Sequence, residues 1–235
     1  MMNLKRKLLK LISKINPKLK PLPNAELVRN HPFSGIALNY LLEKESFKTV
    51  LDIGSGSGKH ADTFEKHGKE VTRFDFGKSR AFTDDNKVLI GDFVSYSFDG
   101  HYDLVWASHV LEHTIHTHAF LSKIRAVVKP GGIVTISVPP AKPEFVGGHV
   151  TLWTPALLLY RLVLAGFDCS NAKVFVYGYN ISVILTAIEN EVVISDLAWD
   201  YNDIERLKKW FPKDLRAGMD GSRYGNIFRG AENFF

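Results

Sequence analysis

Residues 50–58 read Val50-Leu51-Asp52-Ile53-Gly54-Ser55-Gly56-Ser57-Gly58, and the next apolar run ends at Asp75. Residues 48–53 read as a short buried strand and residues from 61 onward as a helix, so three alternate glycines sit on a strand-to-helix turn. Glycine suits such a turn because the backbone takes dihedrals a Cβ disfavours and must let a ligand come close. The helix start behind it offers unpaired N–H groups and positive potential. An acid one strand later suits the two hydroxyls of a ribose. The pattern is that of a nucleoside-cofactor site.

The spacing narrows the cofactor. A dinucleotide fingerprint, G-x-G-x-x-G, needs glycine where this chain has Lys59. A phosphate-gripping P-loop is excluded as well, because Gly58-Lys59 is followed by His60 rather than Ser or Thr. Asp52, two residues ahead of Gly54, suits an α-ammonium group better than a pyrophosphate. On these residues the chain resembles the class I S-adenosylmethionine (SAM) methyltransferases, whose first motif is D-x-G-x-G-x-G.

The later segments extend the resemblance over roughly residues 34–188. Asp75-Phe76 stands in the place of the family's ribose-binding acid, and Gly91-Asp92-Phe93 where a side-chain acid and a backbone amide read the adenine. Residues 102–107 form a fourth strand, followed by Ser108-His109-Val110-Leu111-Glu112-His113, similar to the family's S-x-x-L-E-H turn. Lys129-Pro130-Gly131-Gly132 launches a fifth strand over 133–138, and Gly148-His149-Val150-Thr151-Leu152-Trp153-Thr154 precedes a helix ending at Ala165-Gly166-Phe167. Two β-rich runs, 173–179 and 181–188, read as a hairpin turning at Tyr179-Asn180. The resemblance implies a Rossmann-like α/β fold: a seven-stranded, mostly parallel sheet with helices on both faces and an antiparallel final strand. It implies S-adenosyl-L-methionine as cofactor, bound by Asp52, Gly54, Gly56, Gly58, Asp75, Phe76, Asp92, Phe93 and Ser108.

Composition adds bounds. A chain of 235 residues with 45% hydrophobic content is ordinary for one globular domain. Lone Cys169 has no intrachain disulfide partner, which fits a reducing cytoplasm. Seven Lys/Arg and no acid fall in residues 1–20, and the rest of the chain has a slight acid excess. There Leu4, Leu8, Leu11, Ile12, Ile15 and Leu19 share one helical face, so the arm reads as a basic amphipathic helix. It is too short and too interrupted to span a bilayer, and suits peripheral contact with an anionic membrane or docking on a protein. Residues 21–190 are then the methyltransferase domain. Residues 191–235 form an aromatic-rich extension, read as packing on the domain or a homodimer partner, or as a substrate lid.

A hydroxyl acceptor needs a base at neutral pH, and histidine suits that task. Candidates are His149, favoured for the Gly147-Gly148 pair before it, and His109; His113 is a further one. His109-Val110-Leu111-Glu112-His113 also matches H-x-x-E-H, whose histidines would share a helix face as zinc ligands. That motif here follows a strand of the SAM-type series, and no metal is expected. Val138-Pro139-Pro140 follows the wrong strand for an amino-methylating nucleic-acid signature, and no nucleic-acid partner is expected. The segment containing His149 and the basic arm resemble methyltransferases of surface-glycan precursors. A small or lipid-linked glycan hydroxyl is therefore the expected acceptor, with quinone or lipid O-methylation and a non-catalytic membrane scaffold as alternatives.

Overall fold

The computed structural model describes residues 24–84, 87–200 and 202–213. Its sheet contains β1 (Thr49–Ile53), β2 (Glu70–Asp75), β3 (Val88–Ile90), β4 (Tyr102–Ser108), β5 (Val128–Val138), β6 (Lys173–Tyr177) and β7 (Asn180–Thr186). The seven strands lie in the order β3-β2-β1-β4-β5-β7-β6. Strands β1 to β5 pair in parallel, while β7 runs antiparallel to both β5 and β6. The sheet is the expected Rossmann-like one. Its strand order reverses between β1 and β4, which opens a crevice at their carboxyl ends.

Alternation along the central strands assigns their residues to two cores. Val50, Leu104 and Trp106 face α2 (Gly35–Lys44) and α3 (Lys59–Lys66), where Leu38, Leu41 and Phe64 complete one apolar layer. Leu51, Val105 and Val134 face α4 (Thr117–Val127) and α5 (Pro155–Leu164), meeting Phe120, Ile124, Leu158 and Leu162. Each large side chain so buried contributes about 2–3 kcal/mol. A shorter α1 (Ala25–Asn30) is capped by Asn24, whose side chain accepts from the Glu26 and Leu27 amides. It leads into a segment, 31–34, that lies across the carboxyl end of the sheet.

Three local expectations are corrected. Strand β5 begins at Val128, opposite Tyr102, and the ladder resumes at Leu104–Ile133 after an irregularity containing Lys129-Pro130-Gly131-Gly132. The hairpin turns at Gly178-Tyr179, because Gly178 takes the left-handed conformation (φ 49°) and Asn180 already pairs with Tyr177. His109 and His113 do not share a helix face: His109 has φ 56°, and only a single 3-10 turn, Leu111–His113, follows it.

Within the carboxyl-terminal stretch, α6 (Asn202–Leu207) follows a turn in which the buried Asp203 carboxylate accepts the Ala198 and Trp199 amides. Leu197, Leu207 and Phe211 enter the core, and the Phe211 ring stacks on Tyr160. The basic arm 1–20 and the aromatics Tyr201, Tyr224, Phe228, Phe234 and Phe235 lie outside the described residues. Among the described residues no helix is long and apolar enough to cross a membrane. Cys169 is fully buried, and burial pushes its thiol well above the usual range.

Candidate active site

The glycine corner is held by backbone bonds. Gly54 and Ser55 N–H both donate to the Phe74 carbonyl of β2, and Gly58 N–H donates to the Ser55 carbonyl before α3 begins. Gly54, Gly56 and Gly58 all have positive φ, at 71°, 54° and 76°. A Cβ at Gly54 would lie 2.3 Å from Cγ2 of Val110, on the far lip of the crevice. Asp75 braces the corner: its Oδ2 accepts Gly56 N–H at 2.9 Å and its Oδ1 accepts Gly77 N–H at 2.8 Å. Each oxygen keeps a second acceptor direction for a ligand hydroxyl.

Polar atoms at the corner are buried without partners. Asp52 Oδ2 and Ser55 Oγ have no hydrogen bond among the described residues. Burial pushes the Asp52 carboxyl up to about 7, opposed by Arg73 and reinforced by Asp75. A buried carboxyl with one oxygen left unpartnered fits an ammonium group, so the site suits the amino-acid end of the expected cofactor. Farther along the edge, Phe76 is exposed, and the Asp92 carboxylate accepts Val94 N–H in an exposed turn. The Phe93 ring lies in the core against Phe74 and Phe120, which leaves its backbone amide for any ligand contact.

Across the crevice, β4 ends at Ser108, whose Oγ meets Ser34 Oγ at 2.5 Å. His109 follows; its Nε2 lies 2.9 Å from Asn180 Oδ1 and its Nδ1 3.3 Å from Glu112 Oε1. Its Nε2 is thus hydrogen-bonded, while its Nδ1 lies beside the buried carboxylate without a hydrogen bond. His149 sits on the β5–α5 loop beside His113, with ring centroids 5.0 Å apart, and neither of its nitrogens has a hydrogen-bond partner among the described residues. Burial lowers the His149 pKa, while the Glu112 charge opposes that shift. His149 lines a cavity of about 170 Å³ walled by Pro139, Phe145, Val150, Leu152, Trp153 and Tyr179.

The cofactor-side residues and the two histidines follow the carboxyl ends of the parallel strands, along one edge of the sheet. Segment 31–34, buried Glu112, Asn180 and His60 contact this edge, and sequence reasoning did not single them out as site residues. His60 Nε2 donates to the Phe33 carbonyl, and burial lowers its pKa to about 4, so the ring is neutral. For segment 31–34 the cue was composition: His31-Pro32-Phe33-Ser34 holds polar and turn-forming residues unsuited to a helix interior.

Comparison with known proteins agrees with this architecture. A family model described as "Methyltransferase domain" matches residues 28–169. The ubiquinone biosynthesis O-methyltransferase of Vibrio parahaemolyticus is 32% identical over 124 residues, covering 46% of this chain and 52% of that protein. Its Pseudomonas paraeruginosa counterpart is 24% identical over 127 residues, covering 48% and 55%. The chain thus spans about half the length of the curated relatives it matches. A SAM-dependent methyltransferase from Archaeoglobus fulgidus shares the fold with a TM-score of 0.54 at 17% identity, over 69% of this chain and 100% of that one. A 1,6-didemethyltoxoflavin-N1-methyltransferase of Burkholderia thailandensis, solved with S-adenosylhomocysteine, gives 0.54 at 16% identity over 68% and 78%. The chain therefore belongs to the methyltransferase domain family, on the class I fold that takes S-adenosylmethionine as its methyl donor.

Proposed function

We propose that this methyltransferase acts on a hydroxyl of a small, largely apolar acceptor of the quinone or lipid type, with His149 as general base. The observation that carries this is an unpartnered imidazole on the wall of a mainly apolar cavity, lined also by Lys142 and Glu144, at the carboxyl edge of the sheet. A hydroxyl seated there would meet proline, phenylalanine and tryptophan side chains, and one nitrogen lone pair to take its proton. The relatives named for ubiquinone biosynthesis support this acceptor over a surface-glycan precursor.

When bound, S-adenosylmethionine supplies a sulfonium-activated methyl carbon. Asp52 would hold its ammonium group and Asp75 its ribose hydroxyls, while the Asp92 side chain and Phe93 amide would face the base. Gly54, Gly56 and Gly58 would let the ligand approach the corner, with Phe76 and Ser108 at its flanks. The walls would then align acceptor oxygen and methyl carbon, a positioning effect worth up to about 7–11 kcal/mol. His109 serves as a positioning residue rather than a base, because its Nε2 donates to Asn180 and its Nδ1 is turned to the buried Glu112 carboxylate, and it does not line the cavity. We further propose that the basic arm 1–20 brings the enzyme to an anionic membrane where apolar acceptors reside. Its charge and its apolar spacing support this.

Turnover assays with a catechol-type phenol and with a soluble sugar acceptor test the reading. Methylation of the phenol alone is expected, and methylation of the sugar alone would reject it. Flotation with anionic liposomes tests the arm: equal recovery of the full chain and a chain starting at Pro21 would dismiss its membrane role.

A further inference from the structure

Glu112 is a buried acid surrounded by imidazoles. It is 1% exposed, and neither carboxylate oxygen accepts a hydrogen bond among the described residues. His109 Nδ1 lies 3.3 Å and His113 Nε2 3.9 Å from its Oε1. A His149 nitrogen comes within 4.8 Å of both the Glu112 carboxylate and His113.

Neutral acceptors already assign the other nitrogen of two of these rings. His113 Nδ1 lies 2.8 Å from the Gly148 carbonyl, so that nitrogen carries hydrogen. His109 Nε2 lies 2.9 Å from Asn180 Oδ1, and the Asn180 amide has one orientation. Its Nδ2 donates to the Pro32 and Tyr177 carbonyls, and its Oδ1 also accepts Ser34 N–H. His109 must therefore donate from Nε2. With both rings neutral, two nitrogen lone pairs would face one buried carboxylate, an arrangement with no favourable electrostatics. A proton between His109 Nδ1 and Glu112 converts the closest of these contacts into a charge-assisted hydrogen bond.

We propose that Glu112 is a positioning residue for proton removal: it shares a proton with His109 and stabilises the imidazolium that forms on His149. The proposal rests on His149 being the base. In the step, the acceptor O–H bond breaks and its proton joins a His149 lone pair. The oxygen keeps the electron pair that bonds the methyl carbon, and the thioether leaves uncharged. The positive charge consumed at sulfur thus reappears on the imidazole beside Glu112, and the proton later passes to solvent. Charged or titratable groups facing the cluster from neighbouring elements are His60 on α3, Lys142 and Glu144 on the β5–α5 loop, and Tyr179 in the hairpin turn. His113 Nε2 and Glu112 Oε1, 3.9 Å apart, are separated by more than the ~3.4 Å edge of a tetrahedral site with bonds near 2.1 Å. Proton sharing is the better fit.

The test follows imidazole nitrogens of the labelled full chain by NMR from pH 4.5 to 9, without any ligand. His109 is expected to be protonated at Nε2 throughout. In Glu112→Gln the His149 midpoint is expected to fall by about one pH unit, and Glu112→Asp should restore part of the shift. The acidic limb of the kcat profile should move down with it. A wild-type His109 unprotonated at Nε2 overturns the proposal without any variant. So does a folded Glu112→Gln chain with unchanged midpoints, or saturable Zn²⁺ binding that depends on Glu112. Full turnover by His149→Ala, with the Glu112→Gln shift present, would instead overturn the base assignment and leave the pairing intact.

Discussion

The glycine corner and the imidazole cluster share one edge of the sheet but are held in place by different means. The corner is a contiguous stretch whose amides bond to the neighbouring strand and to its own loop. The cluster joins residues from the β4 turn, the β5–α5 loop, the β6–β7 hairpin and segment 31–34, largely through side chains, with Asn180 as the common knot. A corner held by backbone tolerates little change in conformation. A cluster held by side chains can change its protonation without moving the chain. The first is therefore suited to cofactor affinity and the second to chemistry.

The sharpest way to break this division is His149→Ala. We expect kcat to fall about 10²- to 10⁴-fold with SAM affinity by calorimetry unchanged; a matching loss of affinity would merge the two regions. Gly54→Ala should do the reverse. Its left-handed backbone (φ 71°) and the 2.3 Å approach to Val110 force the corner or the far lip to shift. We expect SAM binding weakened about 100-fold, roughly 2.7 kcal/mol, with imidazole titrations unaltered.

Asp52→Asn sharpens the comparison through pH. Asp52 ionises near 3.8 when unfolded and near 7 when folded. Between those values the folded chain binds more protons, so stability falls as pH rises. Removing that charge should stabilise the fold at pH 8 by on the order of 2–4 kcal/mol, read as a higher melting temperature. The advantage should vanish near pH 4, while SAM affinity drops about tenfold at pH 8. A variant no more stable than wild type at pH 8 would place the acid in a less costly setting.

The smallest effect is expected far from both regions. At the opposite edge, Asp103 accepts from Lys129 Nζ and from the Lys48 and Thr49 amides, and these donors hold its carboxyl well below the usual range. Its stabilisation is present above about pH 4 and is lost as pH falls through its lowered pKa. Asp103→Asn should lower stability by about 1 kcal/mol at pH 7, with no change in SAM affinity or turnover. A change in either would show that the two edges are coupled.

Much of the fold was legible because local patterns carry it. Residues 48–53 form an apolar strand running into three alternate glycines, and the structure places β1 and the start of α3 within two residues of the reading. The errors fell where a side chain decides a turn. Asn180 reads as a turn residue by propensity, yet four hydrogen bonds draw it into β7. Glu112 reads only as the acid of the L-E-H turn, and its burial depends on the β5–α5 loop folding over it, with Val150 N–H bonding to the Glu112 carbonyl.

By itself, the amino-acid order determined the parallel sheet, the switch-point crevice and the glycine corner. Strand periodicity, chirality and the need for positive φ act over a few neighbouring residues, so their signals survive in one dimension. Only the tertiary structure decided that Glu112 is surrounded by His109, His113 and His149, and that Asn180 sets the tautomer of His109. Those facts depend on where four loops from distant parts of the chain meet, and burial and hydrogen-bond direction exist only once they have met.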